Sequence, residues 1–193
     1  MARKFGRTRH SIEARLEDSE RDLLARLFAD VEEMLHDPAA SDADPLAAMV
    51  GISENAVRPE DPALLRLLPD ASREDDEIAG EFRRFTERSL RARKRQALAT
   101  ARSTLERPGP LRLSDAEATA WLTALTDVRL VLAERLGLRT DEDAEALHAV
   151  LLAGAEDDPR TWLAAVYDFL TWLQETLVTV LAESLPPQGR GDL

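Results

Sequence analysis

The chain has 193 residues, 44% of them apolar and 32% charged, with a formal net charge of −12 and no cysteine. That length holds one domain with a good core, and the missing cysteines exclude disulfides, thiolate metal sites and thiol redox switching in this chain. No apolar run approaches the ~20 residues that span a bilayer, and the basic N-terminus lacks the apolar stretch of a signal peptide, so a cytoplasmic protein is expected.

Residues 1–10 carry Arg3, Lys4, Arg7 and Arg9 and no acid. Ile12, Ala14 and Leu16 then alternate with Glu13, Arg15 and Glu17. This period of two predicts a short strand with one buried face, and Phe5 could begin a partner strand. The competing reading of the basic end, a solvated tail, is the commoner one for termini. Asp18 or Ser19 can cap a helix running to about His36, with Leu23, Leu24, Leu27, Phe28, Val31 and Leu35 on its apolar side. Asp44-Pro45 and Asp61-Pro62 each predict a short helix, aspartate serving as cap and proline as first helical residue. Ala47, Gly51 and Val57 match the spacing of a helix-turn-helix core. However, Pro59 stops the second helix too early for it to read a major groove, which favours an ordinary turn.

From Ser72 to Arg107 the sequence predicts a long helix with two apolar stripes. Ile78, Phe82 and Phe85 form the first; Leu90, Ala97, Leu98, Ala101 and Leu105 form the second, rotated well round from it at ~100° per residue. Either the helix changes neighbours midway or it breaks near Ser89. Arg83, Arg84, Arg88, Arg91, Arg93, Lys94 and Arg95 make this the densest positive segment. Arg84, Arg88, Arg91 and Arg95 fall on one side at helical spacing and are the candidate partner-binding face, with pairing to the chain's own acids as the alternative.

Ser114 followed by Glu117 is a capping box. Trp121, Leu122, Leu125, Val128, Leu132 and Leu136 continue as an apolar helix, and Gly137 is placed for a left-handed cap. Thr140 caps another helix, in which Glu145 and His148 have the spacing of a di-iron ligand step. No second step accompanies them, so no metal or cofactor is expected. Asp158-Pro159 opens the last helix, with Trp162, Val166, Phe169, Leu173, Leu177 and Val180 on one face. It is expected to pack on the Ser114 helix, burying Trp121, Trp162, Leu125 and Leu173. Asp127, Arg129, Tyr167 and Asp168, with Glu175, are the polar residues set into these helices. They are expected to form a buried cluster, each of Asp127 and Arg129 with a charged or backbone partner. The fold class that follows is mainly α: one helical bundle over residues 1–185 with a short N-terminal hairpin, a short-helix connection over 37–72, and a tail from 186.

Segments Asp44–Ile52, Glu60–Gln96, Ala120–Leu138 and Val166–Val178 together resemble the actinobacterial domain-of-unknown-function family typified by the actinomycete oxidative stress regulator AosR. The resemblance implies a non-catalytic cytoplasmic regulator connected with transcription of stress and cysteine-biosynthesis genes through a sigma-factor partner, with a homodimer left open. A protease-adaptor role, suggested by the family's gene neighbourhood with the ClpS adaptor, is the alternative. Direct DNA binding ranks lower because the chain is acidic. The absence of cysteine departs from any member that senses oxidants through thiols.

Overall fold

The computed structural model describes residues 2–36, 58–70, 75–140, 142–143, 145–147 and 159–183. The protein is mainly α. The described elements, in order, are β1 (Arg3–Arg7), β2 (Ile12–Arg15), α1 (Asp18–Met34), α2 (Pro62–Leu67), α3 (Asp76–Leu105), β3 (Leu111–Leu113), α4 (Asp115–Leu136) and α5 (Pro159–Ala182). The predicted helices at Asp44-Pro45, the turn spaced by Ala47, Gly51 and Val57, the cap at Ser72, the metal-ligand step ending at His148 and the tail from 186 lie outside the described residues.

α4 is the central helix, with α3, α5 and α2 packed around it. Its ends form as the sequence dictates. Ser114 Oγ accepts from Glu117 N at 3.3 Å, the Glu117 carboxylate accepts from Ser114 N at 2.8 Å, and Gly137 closes the helix at φ 76°. Glycine reaches that left-handed conformation without the clash a Cβ would bring. Trp121 is the largest fully buried side chain. Phe5 and Phe28 meet its ring edge-on at 6.0 and 5.4 Å, and its indole N–H donates to Thr104 Oγ1 at 2.8 Å. Strand, α1 and α3 therefore converge on one residue of α4.

The basic N-terminus is a strand rather than a tail. β1, β2 and β3 form an antiparallel sheet in that order, Ile12 pairing with Leu113 and Ala14 with Leu111. Phe5, Ile12 and Ala14 point into the core, as the period-two pattern predicts. The strand is held because its partners are charged or polar: Arg7 donates to Asp115 Oδ1 at 2.7 Å, and Ala2 N donates to Glu20 Oε1 at 2.7 Å. The other oxygen of Glu20 accepts from Glu17 N at 2.8 Å, so α1 starts one residue earlier than an Asp18 cap would have it.

At α2, Asp61 Oδ1 accepts from Ala63 N at 2.9 Å with Pro62 as first helical residue, the predicted start. Arg66 to Glu134 and Arg135 to Asp61, both at 2.6 Å, tie α2 to the end of α4. Thr140 Oγ1 accepts from Asp143 N at 3.2 Å, again the expected cap.

α3 does not break near Ser89. It is continuous over 30 residues, and the second stripe, from Leu90 to Leu105, is its core face. Of the first stripe, Phe82 and Phe85 stay outside, 49% and 58% exposed. Arg21 of α1 finishes the helix, donating to the carbonyls of Leu105 at 2.7 Å, Arg107 at 3.3 Å and Gly109. Those carbonyls have no helical partner of their own.

α5 packs on α4 through Val166, Leu170, Leu173, Leu177 and Val180. Leu125 and Leu173 are buried as expected. Trp162 is not: it is 57% exposed. The buried row continues backward to Leu163, which packs on the core, and Trp162 falls on the flank beside it.

Glu117 also carries a pH signature. The Arg107 guanidinium bonded to it holds its carboxyl below the ordinary 4.5; burial opposes this, and the Ser114 N–H and hydroxyl reinforce it. A lowered folded value means stability that is present above pH 4.5 and lost as pH falls through the folded value. Glu117→Gln should therefore lower stability at neutral pH, where the charged pair with Arg107 is lost, and flatten the acid limb of the stability–pH curve below that point. An acid limb identical to the wild type would show that the pair is fully solvated.

Candidate partner-docking surface

A cation on a helix is either spent on the chain's own acids or left for a partner, and its angular position decides which. On α3 the core side carries Arg83, Glu87, Leu90, Lys94 and Leu98. Arg83 is 6% exposed and bonds Asp70 and, at 2.9 Å, Glu87. Glu87 also accepts from Arg91, at 2.7 Å. Lys94 bonds Asp127 Oδ1 of α4. Further along, Arg102 reaches Glu32 of α1 at 3.3 Å. Four cations of this segment are thus structural.

Of the predicted face, Arg84 and Arg95 are exposed and Arg88 is half-buried, and none of the three has an ion pair among the described residues. Arg91 departs from the expectation of an exposed docking residue. Its side chain is 11% exposed and turned toward Glu87, with Nη1 buried and unbonded among the described residues. The row runs along the flank of the core face, and Arg91 lies on the edge nearer the core, one turn from Glu87. The surface left outside comprises Arg84, Arg88 and Arg95 with the exposed Phe82 and Phe85, which the helical spacing of the arginines did not bring in.

The expected polar cluster assembles only in part: Arg129 and Tyr167 come together, and Asp127 lies apart from them. Residues two apart on a helix point roughly 200° apart, so Asp127 faces α3 and Arg129 faces α5. Asp127 meets Lys94, a charged partner as expected. Arg129 instead donates to Gln174 Oε1 at 2.9 Å and Tyr167 Oη at 3.3 Å, both neutral, with its guanidinium 5.2 Å from the Tyr167 ring centre. Gln174 completes the contact by donating to Thr126 Oγ1 at 3.1 Å. Asp168 and Glu175 lie on the exposed side of α5. Burial pushes the Asp127 carboxyl above its ordinary 3.8, against the pull of Lys94. Both contacts join helices, and the hollows at the end of α4 and between α2 and α3 are lined by other residues.

Among the described residues no group of His, Asp or Glu is arranged to hold a metal, and no helix is long and apolar enough to cross a membrane.

Residues 2–181 match the family model DUF2017, a domain of unknown function. Similar proteins include the AosR of Mycobacterium leprae, 35% identical over 158 residues that cover 74% of this chain and 69% of that one. The oxidative stress regulator AosR of Mycobacterium tuberculosis, and likewise that of Mycobacterium bovis, is 33% identical over 163 residues covering 76% of this chain and 70% of theirs. No solved structure matches.

Proposed function

This chain belongs to the DUF2017 family, and on that footing we propose that it is a non-catalytic, cytoplasmic regulatory protein that acts by binding another protein through the outer face of α3. The role is supported by the relatives named oxidative stress regulator. The observation that carries the docking face is the contrast within α3. Arg83, Arg91 and Lys94 are consumed by internal carboxylates, whereas Arg84, Arg88 and Arg95 stand outside beside two exposed phenylalanines. In a chain of net charge −12, a local cationic and aromatic face fits an acidic protein surface. It is poorly suited to duplex DNA, whose phosphates the rest of the molecule repels. A sigma factor is the partner class that the family resemblance implies.

Reversing Arg84, Arg88 and Arg95 to glutamate should change the melting temperature little, because Arg84 and Arg95 are exposed and the half-buried Arg88 has no ion pair among the described residues to lose. Binding to a purified sigma-factor partner should weaken, mainly through slower association, and the wild-type interaction should fade with added salt. Arg91→Glu is the contrasting variant: it places a second carboxylate against Glu87 and should lower the melting temperature. Undiminished partner binding by the triple variant would move the docking face elsewhere.

A further inference from the structure

α5 presents a second unsatisfied face. Trp162, Ala165, Phe169 and Trp172 recur at i, i+3, i+7 and i+10, one row along a helix. Trp162 is 57% and Trp172 37% exposed, and Phe169 is stacked on Trp172 with centroids 6.3 Å apart at 25°. Two open tryptophans on one row of a protein whose other tryptophan is fully buried are unusual, since tryptophan is the side chain most enriched where proteins meet. The adjoining edge of the helix carries the exposed acid Glu175. The outer face of α3 is its complement: Phe82 and Phe85 for the aromatics, and Arg88 for the acid. Arginine also packs favourably over an indole face.

The two faces belong to the same end of the molecule. Lys94 bonds Asp127 across α3 and α4, while Arg129 bonds Gln174 and Arg160 donates to Leu136 O at 3.4 Å across α4 and α5. These crossings place both Phe85 and Trp162 toward the C-terminal end of α4. Yet α3 and α5 scarcely touch one another, each packing on α4 instead, so among the described residues neither face covers the other. We infer that α5 of one copy docks on the N-terminal half of α3 of a second copy, aromatic row against phenylalanines and Glu175 toward Arg88. In a twofold pair the contact is made twice, each copy giving one α3 and one α5 face. The inference uses the same α3 surface as the proposed regulatory role, but the chain alone tests it.

Sedimentation of the purified full chain across a concentration series, at physiological ionic strength to screen the net negative charge, should show mass rising from 21.4 kDa toward twice that value. Tryptophan emission should shift to the blue in step, as Trp162 and Trp172 leave water. Trp162→Ser and Phe85→Ser should each weaken association about tenfold or more with the melting temperature retained. Arg88→Glu and Glu175→Arg should each weaken it alone, and the two combined in one chain should restore it. A mass that stays monomeric up to about a millimolar, a dimer indifferent to Phe85→Ser, or a charge swap that restores nothing would overturn the inference. The triple arginine variant touches both readings, because Arg84 and Arg88 belong to both; Trp162→Ser and Glu175→Arg separate them, since they should break self-association and leave capture of a different protein by α3 intact.

Discussion

Trp121→Ala is expected to cost about 3–5 kcal/mol, the range for emptying a large aromatic site in a packed core. Trp121 is fully buried and is touched edge-on by Phe5 of β1 and Phe28 of α1, while its N–H ends on Thr104 of α3. Removing it opens a cavity where four elements meet, and none of them can close it without leaving its other contacts. For a domain whose whole stability is of order 5–15 kcal/mol, this approaches unfolding. Trp121→Phe separates the contributions. It keeps one ring for the edge contacts, loses the N–H donor and leaves only a small void where the second ring lay. Thr104 still donates to Ala101 O at 2.7 Å, so no donor is orphaned and about 1–2 kcal/mol is expected. Urea midpoints for the two variants check both figures. Equal losses would show that the hydrogen bond, rather than the ring, holds the junction.

Asp127→Ala should cost about 3 kcal/mol, the lower end for breaking one side of a buried ion pair. The lower end applies because the Lys94 side chain keeps 15% of its surface exposed and can reach partway to water. Replacing both partners, as Lys94→Met with Asp127→Leu, should recover most of the loss, since a well-packed apolar pair often matches a buried salt bridge. The pair also has a pH signature opposite in sign to that of Glu117. Because burial raises the folded Asp127 value above 3.8, its contribution is fully present below pH 3.8 and is lost as pH rises through the folded value. Asp127→Asn should remove that slope from the stability–pH curve. A slope unchanged in the variant would assign it to another carboxylate.

The ends of α4 could be read in the sequence because a Ser-x-x-Glu box and a terminal glycine satisfy backbone groups locally, with no help from the rest of the fold. The Asp61-Pro62 start and the alternation over Ile12 to Leu16 were legible for the same reason. β3 was not, because three residues between Pro110 and Ser114 are too short to show a period. Nor could the sequence tell which flank of α5 takes Trp162, because one position around a helix is decided by the neighbour and not by the repeat. The candidate surface was legible in part. Spacing put Arg84, Arg88, Arg91 and Arg95 on one side, but only the placement of Glu87 and Asp70 shows which arginines are occupied. The pairing of Asp127 with Lys94, 33 residues earlier, drew its partner from what reads as a surface charge run. Phe82 and Phe85 read as one apolar stripe of α3, and hydrophobicity alone does not distinguish a buried face from one held open.

The placement of β1 bears on how the chain is made. The strand's Phe5 N–H donates to Thr176 Oγ1 of α5, 171 residues on, at 3.5 Å, and its hairpin partner β2 completes its ladder only with β3. A ribosome delivers β1 before any of these partners exists. The contact with α5 must wait until residues 159–182 have emerged, and Arg3, Lys4 and Arg7 keep the strand solvated meanwhile. Such distant closure slows folding relative to a bundle of neighbouring helices. It also makes β1 a latch: its bond to Thr176 forms only once α5 is in place, so a helix far along the chain governs when the strand is fully seated.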